Sequence, residues 1–274
     1  METDLTLADG STLHVYDTGG SGKLTVFWHH GTPNTGAPPK PLFAAADRLG
    51  IRWVSYDRPG YGTSTPRPGR DMASAATYVT AVADALDIAE FAVMGHSSGG
   101  PHTLATAALL PDRVLAAVSV SGLAPFDADG LDWFAGMAPG SEGSLRAAAK
   151  GRAAKEAYEA EFDPETFTPS DHAALDGPWS WFGEIVPPAI AAGPAPLIDD
   201  DLANVGPWGF DPADVTAPVL LVHGEADRMV PASHSAWLAG RIPAAELWLR
   251  PGDGHISALN HAEAALDWLS KQAG

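Results

Sequence analysis

The chain of 274 residues contains no cysteine. That removes disulfides, cysteine-based zinc sites, iron–sulfur ligation and a thiolate nucleophile together. Basic residues are also scarce: 16 Lys and Arg stand against 34 Asp and Glu, a formal net charge of −18. So acidic a surface repels phosphate backbones and anionic lipid, and neither nucleic acid nor a membrane surface is an expected partner. No apolar run approaches the roughly 18 to 20 residues that cross a bilayer. The opening Met1-Glu2-Thr3-Asp4 lacks the basic-then-apolar order of a signal peptide, so a cytoplasmic location is expected. What remains is an ordinary globular composition, 45% hydrophobic and 18% charged, in a chain long enough to bury a large core without a staple.

The acidic excess is uneven. Residues 124–212 hold 16 acidic and 4 basic residues, a net −12, so this stretch carries two thirds of the total. On either side of it, short apolar runs alternate with helical patterns as in βαβ units. Strands are expected at Leu13-His14-Val15-Tyr16, Leu24-Thr25-Val26-Phe27-Trp28, Ile51-Arg52-Trp53-Val54-Ser55-Tyr56, Phe91-Ala92-Val93-Met94 and residues 114–120. Helices are expected at 40–49, at 72–86, where apolar positions recur at three- and four-residue intervals, and at 99–110, stopped by Pro111. Gly19-Gly20-Ser21-Gly22 reads as a hairpin-type turn. The rhythm breaks in 124–212, where Pro, Gly, Trp and acids crowd and one helix is convincing, over 144–161. It resumes with a strand at 218–222, a helix at 232–240, a strand at 245–249 and a terminal amphipathic helix at 257–271. The fold class is therefore α/β: a mostly parallel sheet with helices on both faces, a core of residues 1–123 and 213–274, and an insertion of 124–212.

Gly95-His96-Ser97-Ser98-Gly99-Gly100 fits G-x-S-x-G between a buried strand and a helix. A serine on so sharp a turn lifts its hydroxyl clear of the sheet, and small residues two positions either side let strand and helix approach. The following helix aims its first amides, Ser98 N–H among them, at charge developing on a substrate oxygen. A serine hydroxyl needs a base, and the base an orienting group. Asp227 follows one late strand and His255 the next, both on the carboxyl edge where Ser97 stands and where such sheets build their sites. Ser97 as nucleophile, His255 as base and Asp227 as orienting acid complete the set.

With those residues in that order, the chain resembles the α/β-hydrolase-fold serine hydrolases over nearly its whole length. His30-Gly31-Thr32-Pro33 looks like the family's oxyanion loop, which implies that the Thr32 amide pairs with that of Ser98. Asp57-Arg58-Pro59-Gly60-Tyr61-Gly62-Thr63-Ser64 is similar to the D-x-R-G-x-G-x-S loop of esterase, haloperoxidase-like and proline-iminopeptidase-like branches. It departs in placing Arg one position earlier and Pro before Gly. The insertion lies where that family carries its cap, or lid. The resemblance implies acyl transfer on a small or medium carboxylic ester or lactone. Proline-aminopeptidase activity, C–C bond hydrolysis, perhydrolysis or slow-turnover ligand binding on the same scaffold remain alternatives.

Several residues keep two readings. Glu225 and Asp127 compete with Asp227 as the acid, while Asp253 reads as a turn residue and Asp57 as a loop-capping carboxylate. Of ten histidines, His29, His30 and Gly31 at the oxyanion loop and His96 beside Ser97 are expected to line the pocket; His14, His102, His172, His234 and His261 read as structural. Trp133 and Trp181 are candidates for substrate contact, with the insertion's own core as the equal alternative. The insertion's carboxylates read as a solvated face or as an amine-capturing group. Neither a metal site nor a phosphate or dinucleotide loop is present, so no cofactor is implied; the expected partner is a small-molecule substrate.

Overall fold

The computed structural model describes residues 1–20, 22–158 and 164–274. Eight strands form one sheet: β1 (Glu2–Thr6), β2 (Thr12–Asp17), β3 (Leu24–His29), β4 (Ile51–Tyr56), β5 (Phe91–His96), β6 (Val114–Val120), β7 (Val219–Gly224) and β8 (Ala245–Arg250). Their order across the sheet is β1-β2-β4-β3-β5-β6-β7-β8. β3 to β8 run parallel, and β1 and β2 close one edge antiparallel.

Alternation along each strand builds the two cores. Phe27, Val93, Ala117 and Leu221 pack on one face; Trp28, Met94, Val118 and Leu220, one residue further on or back, pack on the other. Helices α2 (Ser74–Ala85), α3 (Gly99–Leu109) and α9 (Ser233–Arg241) cover the first face. The second is covered by α1 (Phe43–Leu49) and α10 (Ala262–Gln272), which also touch each other. A buried parallel sheet with no free face needs such apolar strands, which is why these were readable.

Two expectations about the first edge are corrected. β1 was not foreseen: Glu2-Thr3-Asp4-Leu5-Thr6 is almost wholly exposed and pairs only with β2, so it lacks the apolar face that marks an inner strand. β2 and β3, on either side of residues 19–22, are not hairpin partners, because β4 lies between them and pairs with both; Ser21 lies outside the described residues.

The stretch between β6 and β7 is more helical than expected. It contains α4 (Pro139–Ala149), α5 (Arg152–Glu156), α6 (Pro169–Asp176), α7 (Phe182–Ile190) and α8 (Ala195–Val205). The single helix expected over 144–161 is split, because Gly151 takes φ 101° between α4 and α5; residues 159–161 lie outside the described residues. α7 carries Pro187 and Pro188 in its second half, the feature that hides it from a periodicity reading. α4 and α5 pack on α8, and α6 docks on the 3-10 turn Ser257–His261 beside the last helix. No helix among the described residues is long and apolar enough to cross a membrane.

Candidate active site

β5 ends at His96 and α3 begins at Gly99, so the chain must reverse within Ser97-Ser98. Ser97 does so at φ 57°, a left-handed conformation that a non-glycine residue adopts only when its surroundings enforce it. The neighbours show why glycines flank it. A Cβ on Gly95 would strike the Gly99 carbonyl and the Thr103 hydroxyl, and one on Gly99 would strike the backbone of His29 and His30. Ser97 N–H is anchored to Val120 O on β6 at 2.9 Å.

Ser97 Oγ lies 2.9 Å from His255 Nε2, and His255 Nδ1 lies 2.7 Å from Asp227 Oδ2. The other Asp227 oxygen accepts Met229 N–H at 2.8 Å and Val230 N–H at 2.9 Å, so the carboxylate is fixed by its own loop. His255 Nδ1 must donate to that carboxylate, which leaves Nε2 to accept from the serine hydroxyl. Burial pulls the His255 pKa down, but the Asp227 charge bonded to its ring, with Asp171 nearby, outweighs it, and the net direction is up. For Asp227, burial opposes ionisation, yet His255 and His223 hold its pKa well below the ordinary carboxylate range.

The competing acids lie elsewhere. Asp127 and Glu225 are exposed, and Asp253 pairs with His261 at 2.8 Å. Asp57 caps an amide, that of Gly36 at 2.5 Å, which lies 21 positions earlier.

Three supports escaped the sequence reading. His223, at the end of β7, donates Nε2–H to Val230 O at 2.7 Å, and the same nitrogen lies 3.3 Å from Asp227 Oδ2. Asp171 in α6 is 1% exposed and accepts the backbone N–H groups of Ile256 and Ser257 at 2.8 Å each and of His255 at 3.3 Å. Gly254 packs so closely on this carboxylate that any Cβ would overlap it. The signal was available, since Thr168 and Asp171 form a reciprocal capping box at the start of α6. Asp200 in α8, fully buried, is the third. Arg58 grips it with a fork, Nε to Oδ1 at 3.0 Å and Nη2 to Oδ2 at 2.7 Å.

A cavity of about 200 Å³ opens at Ser97. Thr32 and Ser98 line it, and among the described residues neither of their backbone N–H groups donates to a protein acceptor. Leu123, Leu145, Leu197, Met229 and Val230 supply apolar wall. Ser141, Ser144, Asp201 and Asn204 supply the polar part. Asp201 is not free: Lys155 Nζ lies 2.5 Å from it. A larger hollow of about 450 Å³ sits at the far edge of the sheet against Tyr16, Lys40 and Trp53, where no nucleophile stands beside a base.

His30, Gly31 and His96, expected to line the pocket, stand behind it instead. The His96 ring lies 4.9 Å from the His255 ring, tilted by 49°, and donates Nε2–H to His255 O at 3.0 Å; burial lowers its pKa to about 3, so it stays neutral. His30 Nε2 accepts Arg58 N–H at 3.1 Å, which places its proton on Nδ1, 2.8 Å from Gly31 O. His29, expected at the pocket too, is buried with Nε2 3.1 Å from the Thr106 hydroxyl of α3. Neither tryptophan lines the cavity. Trp133 donates Nε1–H to Ala124 O at 2.9 Å and packs with Leu123, Met137 and Leu145, while Trp181 packs against Trp179 and Phe182. Both serve as core because large aromatic surface in a short, Pro-rich segment has to be covered.

A family model described as the alpha/beta hydrolase fold matches residues 25–262. The chain belongs to the α/β-hydrolase fold family. This hydrolase is 27% identical over 283 aligned residues to a 2-hydroxy-6-oxononadienedioate/2-hydroxy-6-oxononatrienedioate hydrolase of Cupriavidus pinatubonensis, covering 95% of this chain and 91% of the other. It is 34% identical to a non-heme chloroperoxidase of Streptomyces lividans over 123 residues, less than half of either chain (44% and 45%). Among solved structures, an esterase from Rhodococcus sp. superposes with a TM-score of 0.73 at 20% identity, covering 100% and 99% of the two chains. The enol-lactonase from Burkholderia xenovorans gives 0.72 at 18%, covering 98% and 99%, and these two likenesses speak for the fold. The relatives support a hydrolytic enzyme of this fold.

Proposed function

We propose that this enzyme is a serine hydrolase of small or medium carboxylic esters or lactones, working through an acyl-enzyme. The observation that carries the reading is the continuous relay from Ser97 Oγ through His255 to Asp227, with distances of 2.9 and 2.7 Å. Ser97 attacks the substrate carbonyl as its proton passes to His255 Nε2, and Asp227 stabilises the resulting imidazolium. The carbonyl oxygen, now negative, is taken up by the amides of Thr32 and Ser98; one such donor lowers a barrier by about 2.7–4 kcal/mol. His255 then gives its proton to the leaving alcohol. A water deprotonated by the same ring attacks the acyl-enzyme, and the acid leaves with Ser97 restored.

The cavity supports a neutral acyl group. Among the described residues lining it none is Lys or Arg, and the nearby Lys155 is already paired with Asp201, so a dicarboxylate such as the Cupriavidus relative's name describes finds no unpaired cation in the lining. Asp201 is its one carboxylate, and Lys155 already neutralises it, which weighs against capture of a substrate amine. We read residues 124–212 as the cap, because Ser141 to Leu145 of α4 and Leu197 to Asn204 of α8 roof the cavity over Ser97.

The test is a fluorophosphonate label located by peptide mass, followed by turnover on a panel of esters, lactones and proline amides. Labelling confined to Ser97, absent in Ser97→Ala, with turnover of esters or lactones, is the expected result. Labelling with a single turnover and no release would replace the enzyme by a ligand-binding protein, and activity on proline amides alone would shift it to an aminopeptidase.

A further inference from the structure

We infer that Asp200 and Arg58 form a positioning clamp that aims and strengthens the Thr32 oxyanion donor, so that α8 of the inserted segment helps complete the catalytic machinery. This rests on the reading of Ser97 as nucleophile and Thr32 N–H as oxyanion donor.

Arg58 is 2% exposed and Asp200 0%. Beyond its fork to Asp200, the guanidinium turns its remaining donors to the oxyanion loop: Nη1 to His30 O, and Nη2 to Gly31 O at 3.1 Å and to Thr32 Oγ1 at 3.0 Å. Asp200 Oδ2 meanwhile accepts Thr32 Oγ1–H at 2.5 Å and the Tyr61 hydroxyl at 2.7 Å, and Oδ1 accepts Arg70 Nη2–H at 2.5 Å. Gly31 C=O and Thr32 N–H belong to one planar peptide unit. A cation on that carbonyl draws electron density from the amide nitrogen, making its N–H a better donor, and pins the plane that sets its direction. His30 Nδ1–H adds a second donor to the same oxygen at 2.8 Å.

Support of the fold alone does not account for such an arrangement. Burying two guanidiniums against one carboxylate costs much desolvation, and packed apolar side chains would hold the same elements at least as well. What charge and fork geometry add is direction, here at one peptide group beside Ser97.

The experiment compares Asp200→Asn and Arg58→Lys with wild type, normalising rates to sites titrated by the fluorophosphonate. Each variant is expected to lower kcat by about tenfold to a hundredfold with KM little changed, as misplacement of a reacting group by about an ångström does. The affinity for a trifluoromethyl ketone, which presents a tetrahedral oxyanion, should fall by the same factor as kcat/KM. The acid midpoint of kcat/KM, set by His255, should stay in place, and the double variant should be no worse than the worse single one. A merely structural role would lower the number of titratable sites and leave kcat per site and ketone affinity unchanged; that result overturns the clamp. If both variants fail to fold, Tyr61→Phe, which removes one bond to Asp200, should still lower kcat and ketone affinity together by several-fold, and no change in either overturns the proposal. Full turnover by Ser97→Ala would instead sink the hydrolase reading itself, whereas a dead Ser97→Ala beside a normal Asp200→Asn sinks the clamp alone.

Discussion

The carboxylate of Asp171 reaches across 84 positions of sequence to the backbone of His255 and also takes the next two amides, so the loop that presents His255 is tied to α6 as well as, through the His255 carbonyl, to His96 of β5. Removing one charge there should be felt at the base. Asp171→Ala leaves three buried N–H groups without their acceptor, at about 1–3 kcal/mol for each one that water cannot reach. A lower Tm together with slower ester turnover per folded molecule is expected; an unchanged Tm would show that the loop holds itself.

The same carboxylate should govern part of the acid stability. Burial raises its pKa, but hydrogen bonds from Ser257, Thr168 and Ile256 lower it further, so in the folded protein it lies below its ordinary value of 3.8. A group depressed on folding contributes stability in full above its unfolded pKa of about 3.9, and loses it as pH falls through the lower folded value. Between about pH 6 and pH 2, Tm should therefore drop more steeply for wild type than for Asp171→Asn, which has no charge to lose. Parallel curves would contradict the assignment.

Loss of either end of the Ser97–His255 bond should nearly abolish hydrolysis. Ser97→Ala and His255→Ala are each expected to lose more than about a thousandfold in kcat/KM. Retention of more than about a tenth of wild-type turnover by either would mean another nucleophile or base.

The pH profile follows from the direction of the His255 shift. Its pKa is raised by Asp227 against the opposing effect of burial, and the ring must be neutral to accept the serine proton. kcat/KM should therefore fall on the acid side with a midpoint above 6.5, the unperturbed histidine value. Asp227→Asn should move that midpoint down and cut kcat by about 10⁴. A midpoint that ignores the substitution would detach Asp227 from the base.

The cavity wall predicts chain-length selectivity. Leu197→Trp adds bulk to a space of only about 200 Å³. Butyrate esters should then lose to acetate esters by about tenfold or more in kcat/KM, the scale on which apolar pockets resolve one or two methylenes. Equal losses for both would place the acyl group elsewhere.

The inner strands and Ser97, Asp227 and His255 were legible because their constraints are local. Buried strands need unbroken apolar runs, and the turn at Ser97 needs glycines at 95 and 99 whatever surrounds it. His255 and Asp227 follow late strands, and a parallel sheet delivers such loops to one edge without further information. Beyond the one helix expected over 144–161, the helices between β6 and β7 were illegible because docking, not periodicity, buries them: α7 carries two prolines and α8 places three aspartates together. Asp200 reads as a solvated acid until Arg58, 142 positions earlier, is brought against it. Trp133 and Trp181 show the converse error, since aromatic character cannot say whether a side chain faces a pocket or the packing beneath it.

Helix α8 presents Asp199, Asp200 and Asp201 to three different sets of cations: Arg152, the Arg58–Arg70 pair and Lys155. With Asp171 of α6 on the 255–257 backbone, the stretch between β6 and β7 is fastened at two points, one beside Thr32 and one beside His255. A chimera that takes this segment from a relative should therefore keep its fold at Thr32 and His255 only where the graft brings its own aspartates to these two anchor points.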